Sequence, residues 1–445
     1  MRTKANPTLS KNSNKIATLL EQHSSPLENA EDLDPLMEYI GDAKYVLLGE
    51  ASHGTHEYYT WRAKITQRLI QEKGFSFIGV EGDWPDCYRL NRFAKGYENA
   101  GTDIYSVLNE FNRWPTWMWA NWEVAAFIDW LKIHNENLAR DKKIGFYGLD
   151  VYSFRESMHS IISYLEKNDP KALKAAKKVM ECFEPYGHDE GQAYARASAF
   201  VPELCEKDVL GLLTEIRSKI EYYNSDAENV MSTEQNAFVA RNAEKYYRAM
   251  IKRGAASWNI RDEHMVSTLE RLMKYHGSEA KTIIWEHNTH IGDARATDMR
   301  SEGMINVGQL LREQYSDHGV VCVGFGSYKG SVIAARNWGD AVRKIRVPNA
   351  IEGSWENTFH NACYGENRLL MMNKIREESC LMRPIGHRAI GVVYNPEQEK
   401  FGNYVPTVLP ERYDAFIFID ETTALHPIHI ESDGNQIPET YPFGM

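Results

Sequence analysis

Three short polar clusters in this sequence carry histidines or carboxylic acids, the residue types that serve as bases, acids and metal ligands. Residues 49–54 read Gly-Glu-Ala-Ser-His-Gly, residues 81–86 read Glu-Gly-Asp-Trp-Pro-Asp, and residues 286–290 read Glu-His-Asn-Thr-His. A histidine with a pKa near 6.5 can take a proton from water at neutral pH, and a neighbouring carboxylate can fix its tautomer. A lone histidine of this kind is more often structural. The repeated pattern instead favours a water-activating site, with His53 as the base and Glu50 beside it.

The second cluster contains one acid with a predicted chemical role and two acids with predicted structural roles. Glu81 could orient a histidine, bind a substrate hydroxyl or act as an acid. Asp83 and Asp86 are interpreted as caps of the next helix, because Pro85 suits a first helical turn. We therefore expect Glu81 to belong to the site and the two aspartates to lie outside it.

The third cluster leaves two interpretations open. His287 and His290 are three residues apart and are flanked by Glu286 and Asp293, a composition that could bind a metal ion. The two histidines could equally act as a pair, one hydrogen-bonded to a reacting group and the other supporting it. The favoured prediction is a site without a metal or another cofactor.

Other nucleophile and phosphate-binding motifs do not occur. The sequence has no Gly-x-Ser-x-Gly elbow and no Gly-x4-Gly-Lys-Ser/Thr loop. Ser52 is a conceivable nucleophile, but neighbours at a strand end tend to point in different directions. Tryptophans are dense between residues 114 and 122, which usually indicates core packing. These tryptophans could also line a cleft for a large apolar or glycosylated substrate.

Apolar runs that end abruptly in polar residues predict the elements that position these clusters. Such runs lack polar alternation, as strands covered on both faces do, and helical patterns separate most of them. The predicted fold is therefore α/β, with a largely parallel central sheet flanked by helices and with its ligand site beyond the carboxyl ends of the strands. The runs are Tyr45–Leu48, Phe75–Val80, Ile144–Tyr147, Thr282–Trp285, Val320–Val323, Ala389–Tyr394 and Ala415–Ile419.

The chain divides into four parts by pattern. Residues 1–14 form a polar stretch that we expect to be a flexible tail. Residues 15–150 and 277–445 carry the strand-like runs and form the two parts of the α/β core. Residues 151–276 contain only helical patterns, and we interpret them as a helical insertion or lid over a deep cleft.

The composition of the chain indicates which binding partners and which cellular compartment to expect. The 445 residues carry a formal charge of −11, which argues against a nucleic-acid binder. No apolar run reaches membrane-spanning length, so we expect no membrane partner and a cytoplasmic location. Six cysteines without a Cys-x-x-Cys pair make a disulfide framework improbable in a chain of this size. The oligomeric state does not follow from the sequence.

Taken in order, these motifs resemble the erythromycin esterase family. The resemblance rests on residues 49–54, 81–84, 148–150 and 286–290, on the Trp114/Trp117 region, and on the Arg261-Asp262 pair with Met265. It implies an α/β core with helices over a deep cleft, and hydrolysis of a macrocyclic lactone by activated water without a required metal. Some members are labelled as succinoglycan biosynthesis proteins, so the resemblance leaves the substrate open.

The resemblance also implies roles for individual residues. His53 would be the general base, and Glu50 and Arg62 would belong to the same group of interacting side chains. Glu81 and His287 would be the other essential acid and histidine, and His290 the second histidine of that pair. Trp114, Trp117 and Arg261 are the predicted substrate-binding residues. We hypothesise that His287 or Arg62 stabilises the oxyanion that forms during attack on an ester.

Four functions therefore remain in view. The favoured one is a metal-independent hydrolase of a small-molecule carboxylic ester or lactone. A metallohydrolase would use Glu50, His53, His287 and His290 as ligands. A carbohydrate-active enzyme would pair Glu81 with Asp150. The last is an accessory protein that keeps the pocket without turnover.

Overall fold

The structure is a computed structural model that describes residues 7–187, 190–201, 204–223, 226–252 and 254–428. Its centre is a nine-stranded sheet with the order β1-β8-β11-β6-β2-β5-β3-β4, and β7 pairs with the far end of β6. The strands are β1 (Ser24–Pro26), β2 (Tyr45–Leu48), β3 (Phe77–Val80), β4 (Gly145–Gly148), β5 (Thr282–Trp285), β6 (Val320–Ala334), β7 (Arg343–Val347), β8 (Arg368–Met371) and β11 (Ala415–Thr422). A separate antiparallel pair consists of β9 (Ile385–Arg388) and β10 (Tyr404–Thr407).

Helices cover both faces of the sheet. The first part of the core contributes α1 (Pro7–His23), α2 (Asp34–Ile40), α3 (His56–Lys73), α4 (Trp84–Ala94), α5 (Ile104–Leu108) and α6 (Trp122–Glu136). The middle of the chain contributes α7 (Phe154–Asn168), α8 (Pro170–Phe183), α9 (Glu190–Ser198), α10 (Glu206–Lys219), α11 (Ala227–Met250) and α12 (Ala256–His276). The last part contributes α13 (Asn288–Ile291), α14 (Val307–Tyr315), α15 (Trp355–Ala362), α16 (Glu399–Gly402) and α17 (Leu409–Arg412).

Six neighbouring strands of the sheet, which include the edge strand β4, run parallel to one another, and this confirms the predicted α/β fold. They are β11, β6, β2, β5, β3 and β4, while β8 runs antiparallel to β11. Along β2 the side chains alternate between two cores: Val46 and Leu48 join one hydrophobic cluster, and Tyr45 and Leu47 join the other. Continuous apolar runs arise here because both faces of each strand are buried.

The helical segment, residues 151–276, has two parts, one that packs against itself and one that packs against the sheet. Helices α7 to α11 share their own hydrophobic cluster, which includes Phe154, Phe183 and Tyr247. The buried face of α12 joins the sheet core instead, through Met265 and Leu269. Helix α12 therefore also serves as a helix of the α/β core. No helix in the described ranges is long and apolar enough to span a membrane.

Three expectations from the sequence need correction. Helix α1 begins at Pro7, so the flexible tail expected for residues 1–14 is wrong for residues 7–14, while residues 1–6 lie outside the described part. Helix α1 is held by its buried residues Ile16 and Leu20, which pack into the sheet core. The run Ala389–Tyr394 forms only isolated bridges, at Ile390 and Val393. Its apolar residues fill gaps beside the sheet without joining it.

The third correction concerns the cysteines. Cys182, on α8, forms a disulfide with Cys205, just before α10. The other four cysteines are free and buried. A disulfide was not expected from spacing, because the two cysteines are 23 residues apart and only the packing of α8 against α10 brings them together.

Candidate active site

Strand register brings the polar clusters to one edge of the sheet. Leu48 pairs with Trp285, Trp285 pairs with Val80, and Val80 pairs with Gly148. Each of these residues is the last of its strand. Because parallel strands end at the same edge, the residues that follow them lie side by side, as predicted. Gly49 permits this approach, since a Cβ atom there would overlap the side-chain oxygen of Asn288.

A buried carboxylate joins His53 to an arginine. The Nδ1 atom of His53 lies 2.8 Å from Oε1 of Glu50, and Nη2 of Arg62 donates to the other oxygen of Glu50 at 2.7 Å. Arg62 is fully buried and comes from α3, the helix that follows the His53 loop. Its guanidinium also lies over the rings of Tyr59, at 4.3 Å, and Trp285, at 5.0 Å. Glu50 therefore orients His53 through Nδ1, which leaves Nε2 as the nitrogen that can accept a proton.

The environment of His53 raises its pKa. Burial favours the neutral ring, but the carboxylates of Glu81 and Glu50 outweigh burial and hold the pKa of His53 above its ordinary value. His53 therefore has the properties of a base whose strength increases with the negative charge around it.

Arg261, on α12, is the hub of the second half of the site. It donates to both carboxylate oxygens of Asp150, at 3.0 and 2.7 Å, and to Oε1 of Glu81 at 2.7 Å. Its Nη1 atom lies 3.0 Å from Nε2 of His290. A guanidinium has five N–H groups, so these four contacts leave one free. Burial disfavours the charged form, but Asp150, Tyr152 and Glu81 hold the pKa of Arg261 well above its usual range.

Glu81 is a buried but ionised acid. Besides the contact with Arg261, its Oε2 atom accepts the backbone N–H of His287 at 2.8 Å. Burial alone would raise its pKa. The positive charges that His290, Arg261 and His53 can carry outweigh burial and hold the pKa of Glu81 well below its ordinary value.

The two histidines of the third cluster have different surroundings. The Nδ1 atom of His290 lies 2.9 Å from Asp262, and its ring stacks on Trp258 with a centroid distance of 4.6 Å. His287 is fixed through Nδ1, which lies 2.8 Å from the hydroxyl of Thr289. The His287 and His53 rings are 4.9 Å apart. Burial, followed by the charge of His53, lowers the pKa of His287 well below its usual value, so this ring is neutral.

Glu286 differs from the other acids of the cluster. Its side chain is fully buried, and both carboxylate oxygens lack a hydrogen-bond partner within the described residues. Burial, reinforced by the negative charge of Glu81, raises the pKa of Glu286 well above its ordinary value. Glu286 is therefore a neutral acid and does not bind Arg261 as Glu81 does.

A cavity of about 70 Å³ opens beside these groups. His53, Glu81 and Arg261 line its floor with Asp150, and Trp114 contributes to its walls. The remaining lining residues are Gly82, Asp83, Asp86, Phe111, Arg113, Pro115, Thr116, Met118, Trp119, Tyr152, Trp338 and Val392. Only Tyr152 and Arg261 come from the helical segment. The walls are therefore formed mainly by residues 111–119 together with the segments around Trp338 and Val392.

Four predicted site residues lie behind the cavity floor. Glu50, Arg62, His287 and His290 surround the lining residues but are not themselves part of the lining. Trp117, a predicted substrate contact, is buried in the hydrophobic core and does not line the cavity in this conformation.

The two aspartates interpreted as helix caps lie in the cavity wall instead. Asp83 occupies the N-cap position of α4 without a side-chain cap, and both of its carboxylate oxygens accept from Arg113 at 2.6 Å. Burial raises the pKa of Asp86 to about 7, against the opposing charge of Arg89. Helix caps and buried ion pairs use the same residue types, so the local sequence could not distinguish these roles.

The metal-ligand interpretation of the clusters has no support from the positions of the ligand atoms. Among the residues that the structure describes, Glu50, His53, His287 and His290 do not supply three ligand atoms that converge. Arg261 contacts both His290 and Glu81, and its positive charge opposes a cation there.

The geometry can be compared with known proteins. A family model described as erythromycin esterase matches residues 70–422. The chain belongs to the erythromycin esterase family. It is similar to erythromycin esterase type II of Escherichia coli, with 23% identity over 79% of this chain and 86% of that protein. Family membership identifies the protein as an esterase-type hydrolase.

Solved structures share the fold of this esterase-family chain. A protein described as a succinoglycan biosynthesis protein aligns with a TM-score of 0.74 and 20% identity, covering 93% of this chain and 98% of that one. A Bacillus cereus protein aligns with a TM-score of 0.74 and 22% identity over 94% and 99% of the two chains. A mutant of the erythromycin esterase EreC, described as being in its open conformation, aligns with a TM-score of 0.63 and 15% identity over 91% and 97%.

Proposed function

We propose that this protein hydrolyses a carboxylic ester or lactone with water activated by His53 and without a metal ion. The observation that carries the proposal is the chain from Arg62 through Glu50 to His53, which ends at the cavity floor. It supplies an oriented imidazole with one free nitrogen beside the space where an ester can bind. These are the elements that a general base needs.

The reaction follows from the two nitrogens of His53. Nε2 takes a proton from water as the water oxygen forms a bond to the ester carbonyl carbon. Glu50 stabilises the resulting imidazolium through Nδ1. The tetrahedral intermediate then expels the alkoxide, which receives the proton from Nε2, so the products are a carboxylic acid and an alcohol. For a lactone, both groups remain in one opened chain.

Arg261 is the best candidate for stabilising the oxyanion. It lines the cavity and keeps one N–H free, whereas Arg62 and His287 lie behind the floor. Asp150 and Glu81 hold the guanidinium in place before the reaction, so no reorganisation is needed when charge develops on the carbonyl oxygen. Arg62 and His287 then support the base: Arg62 holds Glu50, and neutral His287 adds no positive charge beside the imidazolium.

The same contacts argue against a glycosidase that pairs Glu81 with Asp150. Such an enzyme needs one carboxylic acid that keeps its proton at neutral pH. Both carboxylates instead accept hydrogen bonds from Arg261, and the pKa of Glu81 is held low. Neither is suited to donate a proton to a leaving sugar.

The volume of the cavity limits the size of the substrate that fits in this conformation. A volume of about 70 Å³ compares with the ~30 Å³ that a water molecule occupies in the liquid and the ~300 Å³ at which ligand pockets usually begin. We propose that the floor holds the ester group and that a larger substrate requires the walls at residues 111–119 and Trp338 to move apart.

A substrate panel tests the proposal. The full chain is assayed with aryl esters of increasing acyl length, with simple lactones, with erythromycin and with aryl glycosides, before and after chelator treatment. We expect cleavage of esters or lactones, none of glycosides, and no effect of chelation. Glycoside cleavage, or activity that chelation abolishes and metal restores, would reject the proposal.

Matched variants assign the activity to His53. We expect His53→Ala to lose at least about 100-fold in kcat. The control is His360→Ala, because His360 also contacts a carboxylate through Nδ1, that of Asp420 at 2.6 Å, but does not line the cavity. Near-normal turnover by His53→Ala, with circular dichroism unchanged, would exclude this residue as the base.

A further inference from the structure

Outside the cavity, two histidine side chains converge on one carboxylate oxygen of a glutamate. His56 is the first residue of α3, Glu123 is the second residue of α6, and His426 lies on the segment after β11. The Nδ1 atoms of His56 and His426 lie 2.5 and 2.6 Å from Oε1 of Glu123. The two imidazoles meet edge to face, with centroids 5.3 Å apart. This His-Glu-His cluster combines residues that are 67 and 303 positions apart in the chain.

The cluster is the one place among the described residues where three histidine or carboxylate side chains bring their ligand atoms close enough together to share an ion. One ring nitrogen of each histidine and a carboxylate oxygen of Glu123 all lie within 4.8 Å of one another. Zinc binds imidazole nitrogen and carboxylate oxygen at about 2.0–2.2 Å, which places tetrahedral ligand atoms roughly 3.4 Å apart. An ion can therefore be held by a small outward shift of the carboxylate, with the proton of each imidazole on its Nε2 atom.

The exposure of the two histidine side chains would allow a metal ion to reach the cluster from solution. The side chain of Glu123 is only 4% exposed, whereas those of His56 and His426 are 34% and 61% exposed. The charged ligand is thus fixed in the protein, and the second oxygen of Glu123 accepts the backbone N–H of His426 at 3.4 Å. The imidazoles lie along an open surface groove, which provides access and room for a water molecule as a fourth ligand.

The positive charges near the cluster and its imidazole ligands determine which kind of ion it can bind. Helices α3 and α6 both point their positive N-terminal ends at the cluster, which disfavours ions held by charge alone. Lys64 borders the same groove, although its ammonium group lies over the Trp61 ring at 4.2 Å. Magnesium and calcium prefer several oxygen ligands, whereas imidazole suits zinc, copper, nickel and cobalt.

The third ligand belongs to a strap that borders the cavity elements. The strap, residues 423–428, receives the backbone N–H of His56 at Thr423 and donates from Leu425 to Gly54, one residue after His53. It also donates from Ile428 to Ala120, just beyond the cavity wall 111–119. An ion bound to the cluster would join all three segments.

We propose that the His-Glu-His cluster is a binding site for a transition-metal ion of the zinc class, which fastens the strap to the His53 loop and to the start of α6. The site is separate from the ester-binding cavity and takes no part in water activation. Its role is to stabilise the two borders of the cavity.

Zinc binding by the full chain tests this site without an activity assay. Metal-stripped protein is titrated with Zn²⁺ against a chromogenic chelator, and with Co²⁺ while the visible spectrum is recorded. We expect one equivalent of Zn²⁺, an intense visible band with Co²⁺, a higher melting temperature with Zn²⁺, and no displacement by millimolar Mg²⁺. Failure to bind Zn²⁺, or displacement by Mg²⁺, would overturn the proposal.

Variants locate the ion. His426→Ala and Glu123→Gln should each weaken Zn²⁺ binding by at least about tenfold and remove the Co²⁺ band and the rise in melting temperature. His426 is largely exposed, so its replacement should leave the fold intact. His53→Ala should bind Zn²⁺ as the wild type does. Unchanged binding in either cluster variant, or its loss in His53→Ala, would place the ion elsewhere and overturn the proposal.

Discussion

His53 and His56 are three residues apart, and each lies within hydrogen-bonding distance of a carboxylate through Nδ1. Their surroundings differ. Behind the carboxylate of Glu50 lies the buried guanidinium of Arg62, whereas the carboxylate of Glu123 contacts a second, exposed histidine. For the pKa of His53 the largest influence is burial, opposed by Glu81 and Glu50; for that of His56 it is the hydrogen bond to Glu123. The same local pair is therefore the proposed base where it is buried and part of the proposed ligand set where it is exposed.

Removing the carboxylate from each pair should have the largest effect on stability. In Glu50→Ala, Arg62 remains buried without its counter-charge, and we expect a loss of about 3–5 kcal/mol in the free energy of unfolding. In Glu123→Ala both histidines can reach water, so we expect at most about 1 kcal/mol. Urea denaturation of the metal-free proteins measures both. Equal losses would mean that Arg62 contributes little to the difference between the two pairs.

The next comparison concerns Arg261, which holds the acids and the second histidine of the candidate active site together. Arg261→Lys keeps the charge but loses the planar fork that binds Asp150, Glu81 and His290 together. We expect kcat/KM for an aryl ester to fall on the order of 100-fold. The control, Arg92→Lys, changes a partly exposed pair with Asp226 and should leave kcat/KM unaltered. A similar rate for both variants would remove Arg261 from the proposed oxyanion site.

Much of this site could be predicted from the sequence, because its residues directly follow strands. Glu50, Glu81 and His287 each follow an apolar run within two residues, and the parallel register places them together. The depth of each side chain could not be predicted in the same way. Whether a residue lines the cavity or lies behind it depends on the packing of α3 and α12, which are distant in sequence.

The fold was predictable for a similar reason. Tyr45–Leu48 and Thr282–Trp285 are strands with the predicted bounds, since a run buried on both faces has sharp polar ends. Contacts between distant segments carry no local signal. The sequence around His426 did not indicate a partnership with Glu123, because the two residues are 303 positions apart. The cavity walls near Trp338 and Val392 escaped prediction for the same reason.

The pH dependence of turnover should also distinguish the two pairs, because the acidic limb of kcat/KM is expected to shift by about one pH unit when the charge beside His53 is removed. A base works when it is deprotonated, so kcat/KM should rise with pH through the pKa of His53, which lies above 6.5. Glu50→Gln removes a negative charge that raises this pKa, so the acidic limb should move to lower pH by on the order of one unit. Glu123→Gln should leave the limb in place. An unshifted limb in Glu50→Gln would show that another group titrates.

The smallest expected effect is that of His56→Ala. This substitution removes an imidazole only three residues from the base but does not alter the contacts of Glu50 with His53 or Arg62. A partly exposed side chain without a role in the reaction should change kcat/KM by no more than about twofold. The backbone N–H of His56 remains to bind Thr423, so the strap keeps its attachment to the His53 loop. A loss above tenfold at unchanged stability would mean that the exposed pair controls the geometry of the buried one, and the two histidines would then form a single functional unit.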